Sequence, residues 1–345
     1  MAQTAAREHM LCVNRHSENA PLTRFEPLER SNRPGPSVRG RRAALTALCL
    51  LLVAGNAQTS EAAERTRIVV SIQPLALILD ELAGDRVDVH VLVPPGASPH
   101  AFEPRPSDMV RIARAHAFVS VGGGIDDWAV RLATSAGDGL TIHSLFSLLG
   151  REEARHDGHA HHEHGENDPH LWLDPLQVRD AIAPALATAL IATDPAGEPD
   201  YRAHLAAFRD TLEELDREIA EILSAEASPS RDYLAFHDAW HHFAAHYGLH
   251  EVAVVEEAAG EQPTPREFAG LLRGARKAGV GAVLIEPQFD PRLAETLGAS
   301  FGGTTVLVDP LGDPNDEARS TYAGLLRFNA RAFRVALDAN RTPAP

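Results

Sequence analysis

The sequence predicts an α/β protein of two lobes, each a four-stranded parallel sheet with flanking helices, joined by one long helix. Three observations carry this. Short β-branched runs alternate with helical patterns, the alternation occurs twice, and the longest amphipathic repeat of the chain lies between the two occurrences. In the first half, strands are expected at 68–72, 87–93, 117–121 and 140–143, separated by helices near 75–82, 107–115 and 127–133. In the second half, strands are expected at 233–236, 252–255, 282–285 and 305–308. Such alternation is the signature of parallel βα units.

The connecting repeat follows the breakers Asp194-Pro195-Ala196-Gly197. Tyr201, Leu205, Phe208, Leu212, Leu215, Ile219 and Ile222 recur at alternating steps of four and three, which places them on one stripe of a helix beginning around Pro199. About 25 residues span nearly 40 Å, enough to run down the side of both halves and tie them together. A dimeric coiled-coil seam fits less well, because only about three heptads are covered and no Asn-type register residue appears. The expected organisation is an N-terminal lobe over 61–193, a connecting helix region over 194–226 and a C-terminal lobe over 227–345. The chain is expected to be a monomer.

Composition narrows the function. The 345 residues suffice for roughly two domains, and 44% hydrophobic with 23% charged residues is ordinary for a globular protein that builds its own cores. Cys12 and Cys49 are the only cysteines, and both precede the region expected to fold. Neither a structural disulfide nor a cysteine zinc site is therefore expected, and any metal must be held by nitrogen and oxygen. A formal charge of −16 argues against a nucleic-acid partner, which would want a basic face. Residues 1–60 read as a signal-peptide region with a long N-terminal extension: Arg39, Arg41 and Arg42 precede an apolar run over 43–54 that is too short to span a bilayer. Small residues place the cleavage between Ala57 and Ala63, so export is expected.

The stretch from His156 to Pro175 is the chemically richest part of the chain. His156, His159, His161, His162 and His164 are diluted only by Gly, Ala and acids, which predicts a solvated loop over 156–167 able to hold metal weakly. The turn dipeptides Asp168-Pro169 and Asp174-Pro175 then bracket His170 beside an apolar Leu-Trp-Leu, fixing one imidazole on a packed corner.

In open parallel sheets, ligands gather at the carboxyl ends of strands. His100 lies there in a proline-rich loop after the strand ending at Val93, ahead of a helix that Ser107 is expected to cap. His237 follows the strand 233–236, and Asp309 closes the strand 305–308. Glu286, after the strand 282–285, is the rival acid. His143, His241, His242, His246 and His250 read as ordinary loop or helix-end histidines. His237 and His241 are four apart but lack the Glu of the zinc-peptidase motif. Four donors at His100, His170, His237 and Asp309 suit a tetrahedral zinc ion, whereas calcium and magnesium want oxygen ligands.

The same residues carry a family likeness. Gly-Ala-Ser-Pro-His-Ala-Phe-Glu-Pro-Arg-Pro-Ser-Asp, Asn-Asp-Pro-His-Leu-Trp-Leu-Asp-Pro, Phe-His-Asp-Ala-Trp, Ile-Glu-Pro-Gln-Phe and Val-Asp-Pro-Leu-Gly stand in order from Arg67 to the C-terminus. In this the chain resembles the periplasmic zinc-binding proteins of the ABC uptake transporters that take zinc or manganese. The resemblance implies two α/β lobes joined by a rigid helix and metal ligands at His100, His170, His237 and Asp309. It also implies an exported, non-enzymatic protein that captures zinc between its lobes and delivers it to an ABC permease in the inner membrane. A His-rich loop and a His at 237 point to zinc rather than manganese. Where some zinc members carry an acid before the first ligand this chain has Pro99, so the fourth ligand stands open between Asp309, Glu286 and water. A zinc metallohydrolase with Glu286 as base, and a surface adhesin or metal buffer using the same site, are the alternative readings.

Overall fold

The computed structural model describes residues 65–137, 139–151, 168–224, 230–256 and 263–340. The expected signal-peptide region over 1–60 and the His run over 156–164 lie outside the described residues. Two four-stranded parallel sheets form the frame. The first contains β1 (Thr66–Val70), β2 (Val87–Val91), β3 (Ala117–Ser120) and β4 (Thr141–Ser144), in the order β2-β1-β3-β4. The second contains β5 (Asp232–His237), β6 (His250–Glu256), β7 (Ala282–Ile285) and β8 (Thr304–Leu307), in the order β6-β5-β7-β8. In both sheets the chain leaves the central first strand toward one edge and returns past it. That reversal opens a crevice at the carboxyl ends of the strands.

Local sequence sets the element ends. β1 stops at Val70 because Pro74 sits in the first turn of the helix Gln73–Ala83, whose buried Leu75, Ile78, Leu79 and Leu82 cover the sheet. The helix expected after the His100 loop runs over Pro106–Ala113, and Ser107 lies inside it. Its first turn is closed by Asp108 instead, whose carboxylate accepts the backbone N–H of Arg105 at 2.8 Å. Among the described residues no helix is long and apolar enough to cross a membrane.

The long helix runs over Glu198–Ile222, 25 residues. Tyr201, Phe208, Leu212, Leu215 and Ile219 are buried, while Leu205 and Ile222 are partly so. This stripe belongs to one hydrophobic cluster that takes in Ile78, Leu79 and Leu186 of the first lobe and Tyr233, Trp240 and Phe333 of the second. Smaller clusters cover the outer faces of each sheet. Each large apolar side chain buried this way contributes roughly 1.5–3 kcal/mol, so the stripe is a principal tie between the lobes. Polar contacts anchor both ends of the helix. Arg86 of the first lobe donates to Asp194 at 3.0 Å, and Asp194 accepts the Tyr201 hydroxyl at 2.6 Å. In the second lobe Arg327 pairs with Glu218 at 2.7 Å, and Arg334 reaches the Ile222 carbonyl.

Two further ties cross between the lobes near the crevice. Trp172, fully buried, donates its indole N–H to the Pro310 carbonyl at 2.7 Å, and the Tyr322 hydroxyl donates to the Trp172 carbonyl at 2.7 Å. His246, in the helix His241–Tyr247, lies 3.3 Å from Asp174 and 2.8 Å from Asp216 of the long helix, which also accepts the Tyr247 hydroxyl at 3.0 Å. The hydrogen bond and charge of Asp174, with Asp216 behind it, outweigh burial and raise the His246 pKa above its ordinary value.

A raised folded-state pKa gives stability that is fully present below the unfolded value of about 6.5 and is lost as pH rises through the folded value. His246→Gln should therefore lower the melting temperature at pH 5.5 by an amount equivalent to about 1 kcal/mol, discounted for the partial exposure of the pair. At pH 8.5 the loss should be markedly smaller. Thermal unfolding at the two pH values checks this, and an equal loss at both would rule out the charged clasp.

Candidate metal centre

Three of the four residues singled out as ligands meet at the crevice. His100, His170 and His237 each offer a ring nitrogen, and these atoms all lie within 4.8 Å of one another. The ring centroids are 5.9 Å apart for His100 and His170, 5.3 Å for His100 and His237, and 5.4 Å for His170 and His237. Around a tetrahedral zinc with Zn–N near 2.0–2.1 Å the nitrogens would be roughly 3.4 Å apart. The trio needs to close by little more than an ångström.

Each imidazole is held by a different device. His237 ends β5 and is 7% exposed. Its Nδ1 lies 3.3 Å from Glu286, whose other oxygen accepts the Trp240 indole N–H at 3.1 Å. Burial opposes charge on His237, but the Glu286 carboxylate more than compensates and raises its pKa. His170 is 3% exposed, and its Nδ1 lies 2.8 Å from Asp168, which also accepts the His170 backbone N–H at 3.0 Å. Burial alone would raise the Asp168 pKa. The charge and hydrogen bonds of His170, with His242 beyond, hold it at about 2. An ionised Asp168 can only accept, so Nδ1 of His170 carries the proton and Nε2 is left as the donor atom.

His100 sits on the exposed side, on the 3-10 turn Pro99–Ala101. The Trp128 indole N–H donates to the Pro99 carbonyl at 2.8 Å, and Phe102 stacks on Trp128 with ring centroids 4.9 Å apart. Trp128 is itself placed by the helix Asp127–Thr134, which follows Asp126. The Asp126 carboxylate is fully buried and accepts the Val121 and Gly122 N–H groups at 2.7 and 2.8 Å. Burial outweighs these bonds and pushes its pKa up to about 6.

Asp309 does not join the trio at that spacing. It is 2% exposed and its carboxylate is engaged on both sides. One oxygen accepts the Leu311 and Gly312 N–H groups at 2.9 and 3.0 Å, and the other accepts Arg319 at 2.7 Å. Asn329 fixes the backbone of Asp309 through both its N–H and its carbonyl. Burial raises the Asp309 pKa against these donors. Glu286 is likewise engaged, by His237, Trp240 and Gln288.

Comparison with known proteins gives the family. The family model described as zinc-uptake complex component A, periplasmic (ZnuA), matches residues 68–336. The chain belongs to this family. It is 26% identical to the zinc-binding lipoprotein AdcA of Streptococcus pneumoniae over 304 residues, 85% of this chain but 60% of AdcA. It is 28% identical to the manganese-binding lipoprotein MntA of Halalkalibacterium halodurans over 280 residues, 80% of this chain and 89% of MntA. A crystal structure of ZnuA matches at 29% identity with a TM-score of 0.68, covering 79% of this chain and all of that one. The chain thus spans about 60% of the length of AdcA, the first of these relatives.

Several residues of the centre escaped the sequence reading. Asp168 reads as half of a turn dipeptide, although an Asp two residues before a His is a signal for a side chain that folds back onto it. Gln288 and Arg319 carry no such signal. His242 does more than cap a helix end. It lies 3.0 Å from Gln177 and 3.0 Å from the Asp168 carbonyl, backing the loop that bears His170.

Asp168→Asn should weaken binding of zinc about 10- to 100-fold, the usual cost of losing a carboxylate behind a metal-bound imidazole, with the circular-dichroism melt little changed. A chelator-competition titration checks it. Unaltered affinity would mean that His170 is oriented by packing alone.

Proposed function

We propose that the chain is an exported zinc-binding protein that takes up the ion between its lobes, at His100, His170 and His237, and passes it to an ABC permease of the inner membrane. The observation that carries this reading is the convergence of three imidazoles from three separate segments of the chain in a member of the zinc-uptake family. Transport fits the site better than catalysis. Glu286, the base considered for a hydrolase, is already engaged by His237, Trp240 and Gln288, which leaves at most one of its roughly four acceptor positions for a substrate water.

Zinc is favoured over manganese by the donor set. Imidazole suits zinc, and manganese wants more carboxylate and carbonyl oxygen than a three-His site supplies. The manganese-binding relative MntA makes this the question to test. Asp309 is proposed as a fourth ligand only if Arg319 releases it; with that pair intact the site works with three imidazoles and a solvent molecule. Periplasmic location is part of this proposal, supported by the periplasmic description of the family and by the signal-peptide shape of 1–60. The run of His156, His159, His161, His162 and His164 is proposed as a set of weaker secondary sites.

The test is competition titration of zinc and of manganese against a chromophoric chelator, using unaltered protein, His170→Ala and Asp309→Asn. Unaltered protein should hold one tight zinc and bind manganese at least about 100-fold more weakly, as the affinity order of such donors requires. His170→Ala should lose orders of magnitude in zinc affinity. Asp309→Asn should change it by less than about fivefold, roughly 1 kcal/mol. Tight zinc surviving His170→Ala would move the site elsewhere, and a large loss in Asp309→Asn would make Asp309 a ligand.

A further inference from the structure

Gln288 lies in the loop after β7 and lines the same crevice as His100, His170 and His237, together with Phe289 and Leu311. Its amide N–H donates to Glu286 at 2.7 Å. Its oxygen, Oε1, is buried and finds no hydrogen-bond partner among the described residues. Buried acceptors of this kind are uncommon, and each asks for a reason. The direction of the amide is not arbitrary. Turning it over would press its oxygen against the Glu286 carboxylate, so the nitrogen faces Glu286 and the oxygen faces away.

The surroundings define what that oxygen meets. Asp309 is held by Arg319 and Glu286 by its three donors, so neither carboxylate reaches a cation at the three imidazoles as the site stands. A tetrahedral zinc on three imidazoles completes its shell with water, a strong hydrogen-bond donor once bound to the metal. We infer that Gln288 Oε1 accepts a hydrogen from the water that completes the shell of the cation held by His100, His170 and His237. Gln288 is then a positioning residue with two ends: its nitrogen steadies Glu286 behind His237, and its oxygen orients the fourth, exchangeable ligand. This rests on the three-imidazole reading of the site.

Cobalt(II), which reports its coordination in the visible spectrum, is the probe, with zinc competition alongside and thiocyanate as a displacing anion. Three proteins are compared: unaltered, Gln288→Leu and Asp168→Asn. Gln288→Leu should bind zinc about tenfold more weakly, shift the cobalt spectrum and let thiocyanate replace the water at a several-fold lower concentration. Asp168→Asn, which loosens an imidazole but keeps both Glu286 and the Gln288 oxygen, should weaken zinc binding while moving the thiocyanate midpoint less than Gln288→Leu does. Gln288→Met serves if the Leu variant does not fold. An unchanged spectrum and midpoint in the Gln288 variants would overturn the inference. So would identical shifts in the Gln288 and Asp168 variants, since Gln288 would then act only by loosening an imidazole. Cobalt binding that persists in His170→Ala would instead sink the three-imidazole reading beneath it.

Discussion

The shared core along the long helix is the constraint on which the rest depends. One face of Glu198–Ile222 packs into a cluster continuous with both lobes, and truncating a single buried leucine such as Leu212 to alanine would cost about 2–5 kcal/mol. A hinge built on a few exposed loop residues would leave the crevice free to open. Here Trp172 ties the loop of His170 to Pro310 across the crevice, and Tyr322 locks Trp172 in turn. Packing and hydrogen bonds among buried neighbours therefore hold the three ring nitrogens within 4.8 Å of one another. That lowers the ordering cost of capture.

Electrostatics then divides the acids of the crevice into two kinds. Asp168 and Glu286 sit behind imidazoles and set which nitrogen faces the site, so their charge acts on a cation through a ring rather than by direct contact. Asp309 is spent differently. Arg319, which also pairs with Asp316 at 2.7 Å, offsets its charge, while Leu311 and Gly312 occupy its second oxygen. A carboxylate this well satisfied serves the loop that carries Pro310, and through Pro310 it serves Trp172.

Much of this was legible in the sequence because it depends on periodicity. All eight strands lie within a few residues of the segments that alternation marks, and the buried stripe of the long helix is the one its steps of three and four trace. His100, His170 and His237 were legible because strand ends and rigid turns are local features. What was not legible is who faces whom across long separations. Arg319 stands ten residues beyond Asp309 in a stretch with no pattern, and only the fold turns it back. His246 looks like an ordinary helix-end histidine until the long helix brings Asp216 and the Pro175 turn brings Asp174 to either side of it. Side-chain partners of this kind leave no period in the sequence, so propensity arguments pass over them.

The unequal burial of the three histidines bears on how an ion would enter the proposed site. His170 and His237 are nearly closed off and backed by carboxylates, whereas His100 is exposed on a turn pinned through Pro99. Two rigid donors and one accessible donor give a pocket with a wall and an open edge. On the proposed reading, a cation from solvent would meet the exposed imidazole first and would shed its water stepwise, with no full dehydration before the first bond. The same edge is the side from which a competing ligand can attack. A fully enclosed four-ligand cage would bind more slowly and release more slowly; with Asp309 paired to Arg319, the proposed three-imidazole site is not such a cage.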